Sequence, residues 1–464
     1  MKSFSLDRIY RILFSLGLFF FSFNQIEVMP FLGEYIKESG AIFFLLGFMT
    51  LIYEILINGK IYLPYKSNLL KLIFIFYLLA LVCTLLNFDT VTTNYFKRTS
   101  GITRFIRQYI SLTIPIIIFL PFFWRVFKDM SLEDLFLFIR KILLYSLLFC
   151  SFYGFWEILY SYFNIFYAKY VLDFFSLFPL LKTMNHGGRI SSFTYEPPAL
   201  AIYLITISGW MFSYIITEKK IIKKITPTLL ILILTFFSGS RTALLVITFV
   251  FFIFMFYLYM IKMYRKEIMI FSFSLITCSI FLFTMNSSKL VDMINEKVES
   301  LDFQANLKNN ISNQTRFGMS MAMTETFKEN PIFGVGFGQQ VYHSRFHYPI
   351  WAKKNNWEFT QYYENKKDPT FPPGFNLYLR LLAELGLVGL ISWLIIIIYS
   401  LKLSIRFIKH KNHIVNILAT SILFSLIGLY INWFQIDSFR MYGVWIYIVI
   451  LIKIDEELKH KNLA

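Results

Sequence analysis

Arginine residues stand beside the predicted starts of several apolar segments. Six of them precede such a segment or lie in its first turn: Arg104, Arg107, Arg189, Arg241, Arg380 and Arg440. The N-terminus of a helix presents unsatisfied N–H groups and the positive end of the helix dipole, so an arginine beside it is unfavourable unless an anion lies between the two. This arrangement is typical of phosphate-binding sites. The alternative, arginines that reach toward lipid headgroups, stays open for Arg104, Arg107 and Arg440.

Arg241 has the clearest functional signature of these six residues. It ends the turn Ser238-Gly239-Ser240-Arg241 inside the apolar run 225–260. This run is shorter than the roughly 40 residues that two complete membrane crossings need before any turn is counted. We therefore expect the tip of the hairpin to lie below the membrane surface. A guanidinium at that depth is costly and normally faces a cavity or a partner.

Candidate general bases lie in two other segments. Glu196 directly precedes Pro197 at the predicted start of a helix, so its carboxylate either caps the helix or accepts a proton beside the phosphate site. His343 and His347 follow a glycine-rich turn, and an imidazole titrates near neutral pH. For each histidine the alternative is a solvated loop residue. All three are candidate bases at this stage.

A polar stripe is predicted at the start of another helix. Asn376, Arg380 and Glu384 recur every four residues and therefore share one helical face. Asn376 is a candidate for sugar binding. Arg380 either binds a phosphate or forms an internal ion pair with Glu384.

Aromatic residues are concentrated in the segment 351–375, just before this stripe. Their flat apolar faces suit stacking on sugar rings, and their alternative role is packing within the protein. The residues that we expect to contact sugars are Trp351, Trp357 and Tyr362.

Membrane helices must position these residues. Of the 464 residues, 57% are hydrophobic and only 16% are charged, with a mean hydropathy of +0.58. Soluble domains contain about 25% charged residues, so this class is excluded. The sequence predicts an all-α integral membrane protein with about 12 transmembrane helices. The apolar runs are 9–28, 39–58, 68–88, 108–124, 142–165, 197–216, 225–237, 242–260, 268–285, 377–400, 414–432 and 441–454.

Lysine and arginine residues predict the orientation of this bundle. More than half of the 45 Lys and Arg residues lie in the two tails and in alternate short connections. The positive-inside rule places these segments in the cytoplasm, together with both termini. The net charge of +17 then reflects topology, and no nucleic-acid partner is predicted.

The predicted topology divides the chain into three parts. They are 1–285, with transmembrane helices 1–9 and a smaller extracytoplasmic loop at 166–196; 286–376, a large extracytoplasmic loop before helix 10; and 377–464, with helices 10–12 and a cytoplasmic tail. A loop as long as 286–376 is usually functional and rarely without structure. We predict a helix over about 313–329 within it, followed by a glycine-rich turn at 334–338.

Four short motifs resemble the O-antigen polymerase and O-antigen ligase superfamily, the Wzy-type and related lipid-linked glycan transferases. They cover about 189–390 in the family's order. Ligases usually carry a His immediately before the Asn that starts helix 10, whereas this chain has Phe375 there, which weakens the ligase interpretation. The motifs are Arg189…Glu196-Pro197, Ser238-Gly239-Ser240-Arg241-Thr242-Ala243, Arg316…Asn330-Pro331-Ile332-Phe333-Gly334-Val335-Gly336 and Asn376-Leu377-Tyr378-Leu379…Glu384-Leu385-Gly386.

The resemblance implies a GT-C-like glycosyltransferase in the bacterial inner membrane, with its active site facing the periplasm. It implies glycans on undecaprenyl diphosphate as substrates, and transfer of the growing glycan to the next lipid-linked repeat unit. The alternatives are a ligase that uses another acceptor and a lipid-linked oligosaccharide flippase. The arginines expected to bind the diphosphate are Arg189, Arg241, Arg316 and Arg380.

The expected chemistry uses neither a cofactor nor a metal ion. Diphosphate is already a good leaving group, so arginines that neutralise its developing charge are sufficient. The chain contains no Asp-x-Asp pair, and its three cysteines lie in apolar runs without metal-ligand spacing. The expected partners are the lipid-linked substrates, membrane lipids and a polysaccharide chain-length regulator.

Overall fold

Helices form nearly all of the regular structure in the computed structural model, which describes residues 6–27, 35–178, 181–182, 188–261, 264–285, 295 and 310–463. Twelve long helices correspond to the twelve predicted apolar runs. They are α1 (Leu6–Phe19), α2 (Ser39–Asn58), α3 (Asn68–Leu86), α4 (Gly101–Phe127), α5 (Leu132–Ser161), α6 (Pro197–Thr217), α7 (Ile221–Ser238), α8 (Arg241–Met260), α9 (Arg265–Met285), α10 (Leu377–Ile408), α11 (His413–Asn432) and α12 (Tyr442–Leu463).

Nine of these helices in the described part of the chain, α2–α8, α10 and α11, are long and apolar enough to cross a membrane. This finding confirms the predicted class, an all-α integral membrane protein. In α4 a π-helical stretch, Ile114–Phe119, contains Pro115, whose missing N–H is accommodated by the wider turn. The total of about twelve transmembrane helices stays a prediction, because α1 is only 14 residues long and α12 carries several charges in its second half.

Short elements cover one end of the bundle. A two-stranded hairpin, β1 (Tyr95–Phe96) and β2 (Thr99–Ser100), connects α3 to α4 and was not predicted. The helix predicted over about 313–329 is present as Ile311–Glu329, here called the loop helix. The remaining short helices in the described residues are the 3-10 helix Phe20–Ser22, Phe88–Thr93, Ala168–Phe175, Gln340–Ser344, Ile350–Lys353, Trp357–Phe359 and the π-helix Thr360–Glu364. Of the predicted large loop, residues 286–294 and 296–309 lie outside the described residues.

Ion pairs join the helix ends that the charge pattern assigns to the cytoplasm. Arg125 at the end of α4 contacts Glu54 of α2 and Asp7 of α1, each at 2.8 Å. Lys453 of α12 donates to the Lys128 carbonyl at 3.0 Å. Two further pairs, Arg140–Glu218 and Arg406–Asp455, join other members of the same set. The contacts therefore group the helix ends as the positive-inside rule does, while the side that faces the cytoplasm stays a prediction.

Cysteine labelling tests that orientation. We expect Lys354→Cys, an exposed position in the large loop, to react with an impermeant maleimide in intact spheroplasts. Lys266→Cys, also exposed but at the opposite end of the bundle, is the matched control and should react only after permeabilisation. Protection of Lys354→Cys together with labelling of Lys266→Cys would show that the topology is inverted.

The glycine-rich turn is inserted into a break in α10. Gly386 has φ 64° and ψ −162°, values that a side chain would make highly unfavourable, and the helix is interrupted there. The segment 331–336 fills the break and bonds to the backbone on both sides of it. The hydrogen bonds are Val335 N to Ala383 O (3.1 Å), Gly336 N to Glu384 O (2.9 Å), Leu387 N to Pro331 O (2.8 Å) and Val388 N to Ile332 O (3.3 Å). The large loop is thereby fixed to a membrane helix.

Gly334 provides a direct test of this insertion. A Cβ at Gly334 would lie 2.4 Å from the backbone carbon of Glu384, whereas a Cβ at Gly59 would meet nothing within 4 Å, although the two glycines have φ values of 63° and 62°. Alanine at either position costs about 1 kcal/mol of strain for the left-handed backbone, and the clash at Gly334 adds about 1–3 kcal/mol. We expect Gly334→Ala to lower the thermal unfolding midpoint in detergent clearly more than Gly59→Ala. Equal effects would contradict the insertion.

Candidate active site

The predicted hairpin tip lies between α7 and α8. Gly239 ends α7 in the left-handed conformation, with φ 62°. Ser240 then caps α8, because its Oγ accepts a hydrogen bond from Ala243 N at 3.3 Å. Arg241 is the first residue of α8, so its guanidinium and the positive end of the helix dipole share one location. An anion at this position interacts favourably with both.

Arg189 lies directly over this tip. Its Nε donates to the Ser238 carbonyl at 3.2 Å, and a Cβ at Gly239 would approach that same Nε to 2.9 Å. The backbone beside it is fixed by a hydrogen bond from Ile190 N to Phe237 O at 3.2 Å. The C-terminus of α7 thus stabilises one side of the Arg189 guanidinium through its carbonyl groups. The side chain remains exposed and interacts electrostatically with Arg241.

Arg316 joins the same cluster from the large loop. It lies near the start of the loop helix, donates from Nη1 to Gln435 Oε1 at 2.7 Å, and has its Cζ 4.9 Å from the centre of the Phe375 ring. Burial lowers the pKa of the Arg316 guanidinium, and Glu358 opposes this effect. Its other electrostatic neighbours are Arg241, Glu196 and Arg189. The structure therefore brings together three of the four arginines predicted to bind diphosphate.

Glu196 faces these arginines. It occupies the N-cap position of α6, yet its carboxylate makes no capping hydrogen bond to the described first turn of that helix. The backbone carbonyl of Glu196 instead accepts from Ala199 N and Leu200 N. Its side chain interacts electrostatically with Arg189 and Arg316. The carboxylate, which also accepts a hydrogen bond from the Tyr195 hydroxyl, lies beside the arginines without capping the helix, which favours the base over the capping alternative.

Polar residues inside the apolar runs hold the loop that carries Glu196. The Glu157 carboxylate accepts from Ser192 N at 2.6 Å, where Ser192 has a left-handed φ of 51°. Asn24 Oδ1 accepts from Tyr195 N at 2.9 Å, and Gln25 Nε2 donates to the carbonyls of Ser192 and Thr194, each at 3.3 Å. These three positioning residues were not predicted from the sequence. What indicates them in the sequence is a polar side chain within an apolar segment. Such a side chain is energetically costly in a membrane and is usually functional.

Glu38 is another carboxyl group near this loop that the sequence analysis missed. It directly precedes α2 and interacts electrostatically with Arg440 and Tyr195. Burial raises the pKa of Glu38 to about 7, and Arg440 partly opposes this effect. Arg440 therefore has an acidic group of the protein as an electrostatic neighbour.

Of the three predicted sugar-binding aromatic residues, Tyr362 lies at the cluster, although it also packs against the small apolar core beneath the loop helix. Burial raises the pKa of its hydroxyl, with Glu358 and Glu196 adding to the effect and Arg316 opposing it. Trp351 packs against the small apolar core beneath the loop helix, as the packing alternative predicts. Trp357 is 63% exposed. The structure thus gives Tyr362 a position from which it can contact a substrate bound at the arginines.

Asn376 and Phe375 lie at the boundary between the large loop and α10. Asn376 Oδ1 accepts from Leu379 N at 3.1 Å, so this side chain caps the helix. This role accounts for Asn376 without a sugar. Phe375 has a left-handed φ of 57°, which is rare for a bulky residue and typical of functional sites. Its ring lies beneath the Arg316 guanidinium.

Arg380 does not join the cluster, which corrects one predicted diphosphate ligand. Its side chain is only 4% exposed, and its Nε lies 3.2 Å from Glu384, as the ion-pair alternative predicts. Nη1 donates to the Asp437 carbonyl and Nη2 donates to Gln108 Oε1, both at 2.6 Å. The Nε therefore pairs within α10, while Nη1 and Nη2 join α10 to the α11–α12 connection and to α4.

The two candidate histidines also lie away from the cluster, which corrects their proposed role as bases. His347 Nε2 lies 3.1 Å from Glu329, the last residue of the loop helix, and His343 has Glu329 among its electrostatic neighbours. Arg316 lies thirteen residues earlier in that helix, a separation of about 20 Å at 1.5 Å per residue. Burial lowers the pKa of His343, so burial favours its neutral form. Glu196 is the one candidate base located beside the arginines.

Comparison with known families finds a match to a region that contains two of the three clustered arginines. A family model described as O-antigen ligase matches residues 227–394, which include Arg241, Arg316, the glycine-rich turn and the broken part of α10. Arg189 and Glu196 precede the matched region. Comparison with curated proteins gives no match. Over this region, which is less than half of the chain, the protein is similar to the O-antigen ligase family.

Proposed function

We propose that this protein polymerises glycan repeat units linked to undecaprenyl diphosphate on the outer face of the inner membrane. The observation that carries the proposal is the convergence of Arg189, Arg241 and Arg316 on one hairpin tip with Glu196 beside them. Three guanidinium groups at a helix N-terminus need a strong anion to offset their mutual repulsion. A diphosphate supplies that charge.

In this proposal the arginines stabilise the leaving group. The acceptor hydroxyl oxygen attacks the anomeric carbon of the donor sugar, and the bond from that carbon to the diphosphate oxygen breaks. Negative charge grows on the diphosphate as it leaves, and preorganised guanidinium groups stabilise this transition state more than the ground state. Undecaprenyl diphosphate is then released to the membrane.

Glu196 is proposed to accept the proton of the acceptor hydroxyl. Its carboxylate lacks a capping role and faces the arginines that hold the donor. A positioned carboxylate at this place orients the hydroxyl and removes its proton as the new bond forms. Tyr362 completes this side of the proposed site, next to both charges.

Phe375 favours polymerase over ligase within the superfamily. Ligases of this superfamily usually have a histidine at this position, whereas here the Phe375 ring supports the Arg316 guanidinium. A ring without a titratable nitrogen supplies no base. The polymerase proposal therefore assigns that task to Glu196.

The products of purified protein test the proposal. The protein is reconstituted in vesicles with one population of lipid-linked single repeat units. A ladder of lipid-linked oligomers is expected. Transfer only to an added acceptor of another kind would indicate a ligase, and movement of intact substrate across the bilayer without new bonds would indicate a flippase.

Activity is expected to persist without divalent metal ions. In the described residues no group of three or more His, Cys, Asp or Glu side chains has the geometry of a metal site, and the proposed leaving-group stabilisation comes from arginine. We expect the same polymerisation rate with excess chelator and with added Mg²⁺. A strict dependence on Mg²⁺ or Mn²⁺, restored by titration, would contradict the arginine mechanism.

A further inference from the structure

A second cation-rich site lies where the β1–β2 hairpin meets the large loop. It is a pocket of about 400 Å³ lined by Tyr95, Phe96, Lys97, Arg98, Arg345, Lys366 and Lys367. Small-molecule sites occupy about 300–1,000 Å³, so the volume suits a ligand larger than a single ion. Five of the seven lining residues are cationic, and none is acidic. Here we call it the hairpin pocket.

The turn that forms one wall of the hairpin pocket is strained. Lys97 and Arg98 connect the two strands and have φ values of 46° and 58°. A two-residue turn of this type strongly prefers Asn-Gly, because other side chains are unfavourable in the left-handed region. The hairpin holds two cations there instead. Strain of this kind is typical of ligand-binding segments.

The positive charge of the hairpin pocket is only partly offset within the described part of the protein, where Lys97 interacts electrostatically with Asp368. None of the five forms a salt bridge with another described residue. Arg345 stacks over Phe96 at 4.8 Å, and its Nε is buried without a hydrogen-bond partner among the described residues. Arg98, Lys366 and Lys367 are exposed. The pocket therefore has a strong positive charge that a bound anion would offset.

The hairpin pocket is joined to the arginine cluster by one short segment. Lys97 Nζ donates to the carbonyls of Gln361 at 3.0 Å and Thr370 at 2.8 Å. The residue after Gln361 is Tyr362, which lies beside Glu196 and Arg316. A chain of sugars that begins at the arginine cluster can therefore extend past Tyr362 toward the pocket.

We propose that the hairpin pocket binds a carboxylate-bearing sugar of the glycan, so that the substrate is an acidic polysaccharide. This inference rests on the proposed function, which makes the glycan the ligand. The pocket is concave and formed jointly by the hairpin and the large loop, with the 63% exposed Tyr95 ring at its edge. A concave site with an aromatic wall suits a sugar ring better than a lipid headgroup, which basic side chains at a flat surface bind well.

Calorimetric titration of the full-length protein tests the proposal. The protein is placed in nanodiscs of zwitterionic phosphatidylcholine and titrated with trigalacturonate or with neutral maltotriose. The test variant is Lys366→Gln/Lys367→Gln. The matched control is Lys353→Gln/Lys354→Gln, two exposed adjacent lysines of the same loop that do not line the pocket.

We expect trigalacturonate to bind and maltotriose to bind at least about tenfold more weakly, because only the former offers charge-assisted hydrogen bonds. The test variant should weaken trigalacturonate binding about tenfold, and the control variant by less than about twofold, as for exposed charges outside a site. Both variants are checked for an unchanged thermal unfolding midpoint. Absence of trigalacturonate binding, equal binding of maltotriose, or equal effects of the two double variants would each overturn the proposal.

Two further arms separate the remaining explanations. Nanodiscs that contain anionic phosphatidylglycerol distinguish a sugar site from a site for lipid headgroups. If this lipid completely blocks the binding of trigalacturonate, the pocket is a lipid site and the proposal is wrong. The polymerisation assay tests the proposed function, and the titration tests the hairpin pocket. If the unaltered protein forms no polymer but still binds trigalacturonate, the proposed function fails while the binding site stands, so failure of the proposed function is distinguishable from failure of the proposed site.

Discussion

Replacement of Arg241 by alanine is expected to reduce the rate of glycan polymerisation by about 10²–10³-fold, or about 3–4 kcal/mol, the usual effect of removing one preorganised charge-stabilising donor. Arg241 begins α8 at the point where Arg189 and Arg316 also converge. The interaction is strongest when charge has accumulated on the leaving diphosphate, so the loss should appear in kcat. Cells should accumulate single lipid-linked repeat units while the protein level in the membrane stays normal.

Arg241→Lys should be impaired as well. An ammonium group keeps the charge but cannot reproduce the planar, two-point contact of a guanidinium with a phosphate. The matched control is Arg265→Lys, because Arg265 also begins a helix, α9, and its side chain is exposed at the opposite end of the bundle. Normal polymerisation by Arg241→Ala would show that this residue does not bind the diphosphate.

Glu196→Gln is expected to have the next largest effect. Loss of a positioned general base typically reduces the rate by about 10²–10⁴-fold. The amide keeps the size of the side chain, and no helix cap is lost, because the carboxylate makes no capping bond to the described first turn of α6. The thermal unfolding midpoint should therefore change little. The rate is measured with purified protein and lipid-linked repeat units.

The controls for Glu196 separate a base from a general loss of charge. Glu364→Gln removes an exposed carboxylate of the large loop and should leave the rate unchanged. His343→Ala and His347→Ala should retain most of the activity, because both histidines lie near the far end of the loop helix. A loss for either histidine as large as that for Glu196→Gln would return the role of base to that histidine.

The membrane helices were predictable because their signal is local. In lipid, a long apolar run must satisfy its backbone N–H and C=O groups internally, and a helix does so within the run itself. For this reason each of the twelve runs corresponds to one of the twelve long helices. The family resemblance and the polarity of the helices predicted Arg189, Arg241 and Arg316 as diphosphate ligands. The structure places the three arginines near one another, while their role stays a prediction. For Arg380, the choice between a phosphate ligand and an internal ion pair with Glu384 required tertiary contacts, because the spacing of four residues fits both roles. Only the contacts of Arg380 with Gln108 and Asp437 show that its side chain is buried inside the protein.

Other features depend on contacts that no local pattern reveals. Glu157 and the adjacent pair Asn24 and Gln25 are polar residues in apolar runs, and the loop 189–196 that they contact is distant in sequence from Asn24 and Gln25 and lies more than thirty residues after Glu157. The glycine-rich turn is visible in the sequence as a turn, but its place in the break of α10 is set by backbone hydrogen bonds across about fifty residues of chain. The hairpin pocket likewise unites residues from three separate segments.

The most direct test is to locate the diphosphate itself by cryo-electron microscopy of the protein with bound undecaprenyl diphosphate. We predict density for the two phosphate groups within hydrogen-bond distance of the Arg241 guanidinium, with Arg189 and Arg316 on either side and the polyprenyl chain leading into the membrane. Density for the phosphates in the hairpin pocket, or anywhere out of reach of Arg241, would contradict the assignment of the donor site.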